Sequence, residues 1–395
     1  MGIKGFSQIF KAVQTVKSKD LKGETIVIDT NSELMRAALG AKSTHVLTDS
    51  NGNPTLHISV LLAVILDFYV NHVDLVFGFD HNQDPDKEFH NPDKLEEIMR
   101  RRKVREKANT EIQTLKQMQE KKPLFSDSED SDTETKNEEE AKARIQALEK
   151  RAFRYTKEMI NDIKLMITCL GYRYVEAPVG FEGEHICSWI ASTGVGSAVY
   201  SGDTDPIPFG APILLRKNPR DKLIYKYTQS DIIKQIKDAN DYDSDSNDSD
   251  DPTIYDIRKI CVIAGAEGAE KTPGVGPKTI LQKYDNIKLT KAQKHIIQKF
   301  AKVPDVEVKF HNEDRTPFAD KDKINLLIDW LVDQKSFNRA RVTAQIEKAI
   351  EKHDKPSKTK ASKVSKAKST TKSDKESPTK VSKKPLKRIG GKVCV

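Results

Sequence analysis

Cysteine is scarce and scattered in this chain: Cys169, Cys187, Cys261 and Cys394 are the only four in 395 residues. Their separations fit neither a zinc site nor a disulfide framework. Buried structural roles are expected for the first three, and Cys394 is misplaced for a prenylation box. Apolar runs are short, and none is long enough to cross a bilayer. The opening MGIKGFSQIF lacks the apolar core of a secretory signal. Gly2 is followed by Ser7, whereas a myristoylation signal requires Ser or Thr one position earlier. The expectation is a soluble protein that is not secreted and makes no membrane contact. No GxxxxGK[ST] loop is present, which excludes a Walker-type ATPase. The acidic runs lack EF-hand spacing.

What is present is charge, unevenly placed. The net charge is +8. Residues 354–395 hold 14 Lys and Arg against 3 acids in a low-complexity Lys/Ser/Thr/Pro sequence. Residues 126–142 hold 8 acids and 2 lysines, and residues 241–251 hold 6 acids and no base. A basic body with acidic insertions and a basic tail points to a polyanionic partner, although a solvated surface gives the same count. The tail reads as a flexible arm suited to nuclear import or loose DNA contact, so a nuclear or viral replication compartment is expected. The Ser-rich acidic runs read as disordered, regulatory segments.

Hydrophobic patterning predicts an α/β fold. ETIVID at 24–29 and VDLVFGFD at 73–80 are continuous β-prone runs, as expected of buried parallel strands, and each ends in an acid. Further strands are expected at 172–175 and 197–200, with a strand pair at 212–216 and 223–227. Helices are expected at 3–16, 32–39, 56–71, 93–119, 143–170, 183–191, 254–264, 291–300, 320–331 and 338–352.

The organising stretch is APVGFEGEHICSWIASTGVGSAVYSGDTDPIPFGA at 177–211. It sets Glu182 and Glu184 at the start of a helix and Asp203 and Asp205 just past a strand. Taken alone, each pair reads more readily as helix caps and solvated loop acids. Asp29 and Asp80 repeat the pattern, and in an α/β sheet the strand ends line the ligand crevice. Carboxylates gathered there would repel one another unless a divalent cation joined them, and all-oxygen ligands favour Mg²⁺ or Mn²⁺. Lys94 and Arg101, seven apart on the following helix, share one face. GVGPK at 274–278 is a Gly-x-Gly turn before a helix, whose amides can face a phosphate, with Lys278 beside it.

In order along the chain, MGIKGF, the strand ending IDT, the strand ending FD, the Lys/Arg-rich helix, EAPVGFEGE, SGDTDPIPFGAP, AGAEGAEKTPGVGPKT and DWLVDQKSFNRARV resemble the flap endonuclease and XPG-type structure-specific 5′ nucleases. The resemblance runs to about residue 352. It implies a PIN-like core with a central, mostly parallel sheet flanked by helices, a helical arch, and a helix-two-turn-helix that binds DNA. The implied organisation is an N-terminal nuclease region at 1–92, an arch at 93–170 with a disordered acidic insertion at 123–142, and an internal nuclease region at 171–240. A second acidic insertion follows at 241–252, then the helix-two-turn-helix with C-terminal helices at 253–352 and a disordered basic tail at 353–395.

By position, the resemblance makes Asp29, Asp80, Glu182, Glu184, Asp203 and Asp205 ligands of two Mg²⁺ ions, with Mn²⁺ able to substitute. Lys94 and Arg101 become the catalytic cations, with Lys87 a competing candidate for the lysine. Gly274, Gly276 and Lys278 fall on the turn that holds K⁺ against the duplex, and Gly2 falls beside the active site. The family's last metal aspartate is Glu267 here, and its base-stacking aromatic is Met35. The tail contains no sliding-clamp box, so clamp docking is not expected. The implied function is a Mg²⁺-dependent 5′ flap endonuclease and 5′→3′ exonuclease, acting as a monomer on branched or flapped double-stranded DNA in replication and repair. The alternative, motivated by Glu267 and Met35, is a catalytically weak or inactive DNA-binding scaffold of the same fold. A junction resolvase of the same family finds no distinguishing feature.

Overall fold

Short β-branched and apolar runs, buried on both faces, form the centre of the molecule. The structure, a computed structural model, describes residues 2–40, 48–81, 95–120, 131–218, 223–240, 251–304 and 308–355. The elements begin with α1 (Phe6–Ile9), β1 (Gln14–Val16), β2 (Thr25–Asp29), α2 (Thr30–Gly40), α3 (Leu56–Val70) and β3 (Asp74–Phe79). There follow α4 (Leu95–Glu120), α5 (Ser131–Ala152), α6 (Lys157–Leu170), β4 (Arg173–Glu176), α7 (Gly183–Ser192), β5 (Ala198–Tyr200), α8 (Pro206–Phe209), β6 (Ile213–Lys217) and β7 (Ile224–Thr228). The chain continues with α9 (Gln229–Ala239), α10 (Ile254–Ala264), α11 (Pro277–Lys283), α12 (Lys291–Ala301), α13 (Lys321–Asp333) and α14 (Arg339–Asp354). Met1–Lys355 form one compact unit.

The strand order is β1-β7-β6-β5-β2-β3-β4. The strands from β6 to β4 in that order are parallel to their neighbours, and β7 and β1 add an antiparallel edge. The expected mostly parallel sheet is thus present. From β2 the chain proceeds to β3 and β4 on one side, then returns to β5 and β6 on the other. The switch point therefore lies between β2 and β5, where a crevice opens at the strand C-termini.

Alternation along β2 commits its side chains to opposite faces. Ile26 and Ile28 join the core formed with α3, α6, α13 and α14, while Val27 packs with Ile186 and Ile190 of α7. A third cluster joins α1, α9, α10 and α12 through Phe6, Phe10, Ile232, Ile260 and Phe300. Helices α4 and α5 pair through their own small core of Ala108, Ile112, Ile145 and Leu148, flanked by the Arg144–Glu111 and Lys116–Glu149 ion pairs.

Three expectations change. The helix expected at 3–16 is one turn, α1, followed by β1, which pairs with β7 from Gln14 opposite Lys226 to Val16 opposite Ile224. An open sheet edge outweighs the local helical spacing. The helix expected at 143–170 is two helices, because Thr156 turns extended and caps α6 by accepting from the Met159 amide at 3.3 Å. The acidic insertion expected at 123–142 is helical from Ser131 onward. The rest of that insertion to residue 130, most of the one at 241–252 and the tail from 356 lie outside the described residues.

Candidate metal centre

The crevice at the switch point is built from four elements. β2 delivers Asp29 at its last position. β3 delivers Asp80 immediately after its end. The loop after β5 delivers Asp203 and Asp205, and the N-cap and first turn of α7 deliver Glu182 and Glu184. Two glycines let α7 approach the sheet this closely. A Cβ on Gly78 would lie 2.2 Å from Cys187 Sγ, and one on Gly183 would lie 3.0 Å from the Asp80 amide. The Gly183 amide donates to Asp80 Oδ1 at 2.7 Å, so a helix N-terminus faces the carboxylate.

Glu184, Asp203 and Asp205 bring one carboxylate oxygen each within 4.8 Å of the others. Asp29 is 2% exposed; the Ser201 hydroxyl donates to its Oδ2 at 2.8 Å and the Ser32 amide to its Oδ1 at 3.2 Å. Burial pushes the Asp29 carboxyl up to about 7 despite those bonds, with the charges of Asp80 and Asp203 adding to the rise. Burial first, then Asp205 and Asp203, raise Glu184 well above the usual carboxylate range. Burial first, then Asp203 and Glu267, do the same to Asp205. The carboxylates therefore form one electrostatically connected group.

The donor set fits a divalent cation. It is all oxygen, as Mg²⁺ and Mn²⁺ require. Asp205 Oδ1 is buried and accepts no hydrogen bond among the described residues. A protein does not ordinarily leave such an atom without a positive partner.

The remaining sequence candidates divide clearly. Glu182 lies at the N-cap of α7 and pairs with Lys299 of α12 at 2.9 Å. Glu267 pairs with Arg101 of α4 at 3.0 Å, which brings the predicted cation to the carboxylate group. Gly2 has φ +118° and lies against the loop after β5: a Cβ there would come 1.9 Å from Asp203 Oδ1. The Ile3 amide holds the segment by donating to Thr204 Oγ1 at 2.8 Å. Met35 is half-buried on α2. Lys87 and Lys94 lie outside the described residues.

Gly274 and Gly276 belong to the turn between α10 and α11, and Lys278 lies in the first turn of α11. Gly274 is left-handed at φ +72°, Gly276 caps α11, and Lys278 is exposed. Open space surrounds the Cβ positions of both glycines, so a backbone phosphate could approach them closely.

Sequence reasoning missed four contributors. Asn31 Nδ2 donates to Asp80 Oδ2 at 2.6 Å, and the Tyr155 hydroxyl donates to the same oxygen at 3.1 Å. Lys299 neutralises Glu182. Gln293, 2% exposed, donates from Nε2 to the Val262 and Glu270 carbonyls, both at 3.2 Å, and to Thr272 Oγ1 at 3.0 Å. It thereby fixes the start of the Gly-x-Gly turn. The only available signal was a capping box, Thr290 with Gln293, which accounts for the helix start and not for the turn.

A mostly parallel sheet carries at its switch point a cluster of carboxylates that could hold a metal ion. Comparison with known proteins gives the family. Residues 1–108 match the XPG N-terminal domain and residues 171–261 match the XPG I-region. Flap endonuclease 1 of Naegleria gruberi is 26% identical over 386 residues, covering 91% of this chain and 88% of that protein. Flap endonuclease 1 of Meyerozyma guilliermondii is 27% identical over 384 residues, covering 88% and 89%. In fold, the chain is similar to flap endonuclease-1 from Methanococcus jannaschii, with TM-score 0.60, 19% identity and coverage of 88% of this chain and 98% of that one. It is also similar in fold to human GEN1 in complex with Holliday junction DNA, with TM-score 0.55, 15% identity and coverage of 89% and 78%. The chain belongs to the flap endonuclease and XPG family of structure-specific nucleases, which hydrolyse phosphodiester bonds.

Proposed function

We propose that this protein is a Mg²⁺-dependent 5′ flap endonuclease and 5′→3′ exonuclease acting on branched DNA in replication and repair. The observation that supports this most is the convergence of Glu184, Asp203 and Asp205 with Asp29 and Asp80 at the sheet's switch point. Asp80, Glu182, Glu184, Asp203, Asp205, Asp29 and Glu267 would share two divalent ions. Such ions supply a water activated at neutral pH and stabilise the charge on the leaving oxygen.

The chain's own residues do the rest. The carboxylates bind and fix the charge of the site. Arg101 stabilises the scissile phosphate as charge builds there, and Lys94, outside the described residues, is its proposed partner cation. Arg101 is paired with Glu267 in this structure, so phosphate competes with that carboxylate for the guanidinium. Gly2 leaves room for the Asp203 carboxylate, and Met35 offers apolar contact to a base. Gly274, Gly276 and Lys278 hold the duplex backbone, and their turn would hold a K⁺ ion that supplies positive charge toward the phosphates, so recognition follows shape rather than sequence. The paired helices α4 and α5 form the arch beside the 5′ strand. The protein acts as a monomer in the nucleus or a viral replication compartment, guided there by its basic tail.

The test is cleavage of a 5′-flap duplex with Mg²⁺ by the wild type and Asp203→Ala, alongside nicked, bubble and four-way substrates. The expected result is flap cutting by the wild type and loss in the variant. Equal cutting by both removes the site, and tight flap binding with no metal-dependent cutting by the wild type establishes the scaffold reading instead.

A further inference from the structure

Asp80 is held more tightly than a metal ligand at a loop start would be by its own backbone. Its Oδ1 accepts the Gly183 amide at 2.7 Å. Its Oδ2 accepts Asn31 Nδ2 at 2.6 Å and the Tyr155 hydroxyl at 3.1 Å. Asn31 Nδ2 also donates to the Tyr155 oxygen at 2.9 Å, so the three side chains close a triangle. Asn31 Oδ1 completes the frame by accepting the Asp80 amide at 3.4 Å.

Each carboxylate oxygen has two lone-pair directions. The two side-chain donors take both on Oδ2, whereas the amide takes one on Oδ1. The carboxylate is left in one rotation, with a single Oδ1 lone pair available to a cation.

The origin of the three donors matters. Asn31 lies on α2, directly after β2, and Gly183 begins α7. Tyr155 lies in the break between α5 and α6, immediately before the Thr156 cap. It is therefore the first segment after the α4/α5 helical pair to touch the carboxylates. Its neighbours in sequence give no reason for a tyrosine: the position falls on an apolar spacing that Phe or Leu would satisfy.

We propose that Tyr155, acting with Asn31, is a positioning residue that fixes the Asp80 carboxylate for divalent-metal binding and ties that orientation to the seating of the chain at the foot of α5. The proposal rests on Asp80 being a metal ligand, as argued above. Hydrogen-bond partners that orient a ligand typically change metal affinity or activity ten- to a hundredfold when removed.

The experiment compares the wild type, Tyr155→Phe, Tyr155→Leu and Asp80→Asn. Mn²⁺ binding to the DNA-free protein is measured by calorimetry, and flap cleavage is measured across a range of Mg²⁺ concentrations. Phe keeps the ring and removes only the hydroxyl. The expected result for Tyr155→Phe is Mn²⁺ binding weakened about tenfold, a lower kcat that recovers as Mg²⁺ is raised, and an unchanged KM for DNA. Wild-type Mn²⁺ affinity and kcat in Tyr155→Phe overturn the proposal, all the more clearly if Tyr155→Leu alone is impaired, because the ring would then serve only packing. A kcat loss in Tyr155→Phe that high Mg²⁺ does not restore also overturns it. Mn²⁺ binding by the wild type that Asp80→Asn leaves intact overturns the assignment of Asp80 and the proposal together, so the two failures are separable.

Discussion

Replacing Asp29 with Asn should change how the metal-free protein responds to pH, and the size of the change follows from burial. Asp29 titrates at about 7 when folded and near 3.8 when exposed. Between those values the folded state keeps a proton that the unfolded state releases. Stability from this proton is fully present below the unfolded value and is lost as pH rises through about 7. At about 1.4 kcal/mol for each pKa unit, moving from roughly pH 5 to pH 8 should cost the wild type about 2.5 kcal/mol through Asp29 alone. Glu184 and Asp205, raised by the same burial, act in the same direction.

His185 opposes this at acid pH. Burial lowers it to about 4, against an exposed value of 6.5, so its contribution is lost as pH falls through that interval. Asn at position 29 removes the Asp29 effect and the small share of the Glu184 rise that the Asp29 charge causes, and His185 cancels in the comparison of variant with wild type. The rearranged bonds to Ser201 and Ser32 add a nearly pH-independent offset. Urea unfolding in EDTA at several pH values gives the difference directly. The stability of Asp29→Asn relative to the wild type should rise by about 2.5 kcal/mol across that range. Mg²⁺ should erase much of the wild type's alkaline loss, because a cation bound only by the folded state replaces the lost proton. A pH-independent difference between the two proteins, together with no stabilisation by Mg²⁺, would refute the reasoning.

Gly2→Ala should lose flap cleavage by about a hundredfold while still binding DNA, since its Cβ would collide with Asp203 Oδ1 at 1.9 Å and a 1 Å misplacement can cost that much; single-turnover kinetics with a filter-binding control would check this. Glu267→Asp should release Arg101 from the 3.0 Å ion pair and lower the Mg²⁺ concentration for half-maximal cutting several-fold, read from a Mg²⁺ titration of cleavage rate. Gln293→Leu should cost about 1–3 kcal/mol in urea unfolding, because the Glu270 carbonyl loses the Gln293 donor and the Val262 carbonyl keeps only the Gly265 amide. The same variant should weaken duplex binding in a fluorescence titration, while Mn²⁺ binding stays unchanged.

The strands, most of the helices and the acids at the strand ends were legible in the sequence, because each depends on local pattern. ETIVID and VDLVFGFD are continuous apolar runs, α10 falls at 254–264 as its spacing predicts, and the Gly-x-Gly turn is marked by its own residues. Residue type and spacing were enough to nominate Asp29, Asp80, Glu184, Asp203 and Asp205. The tertiary structure alone decided which partners those acids have. Tyr155 meets Asp80 across 75 positions, and Lys299 meets Glu182 across 117. β1 exists only because β7 offers an unpaired edge, and the break before Thr156 sets Tyr155 beside Asp80. The protonation of Asp29 was equally out of reach of the sequence. A carboxyl's charge depends on how much water the packing around it removes, and only the assembled fold sets that.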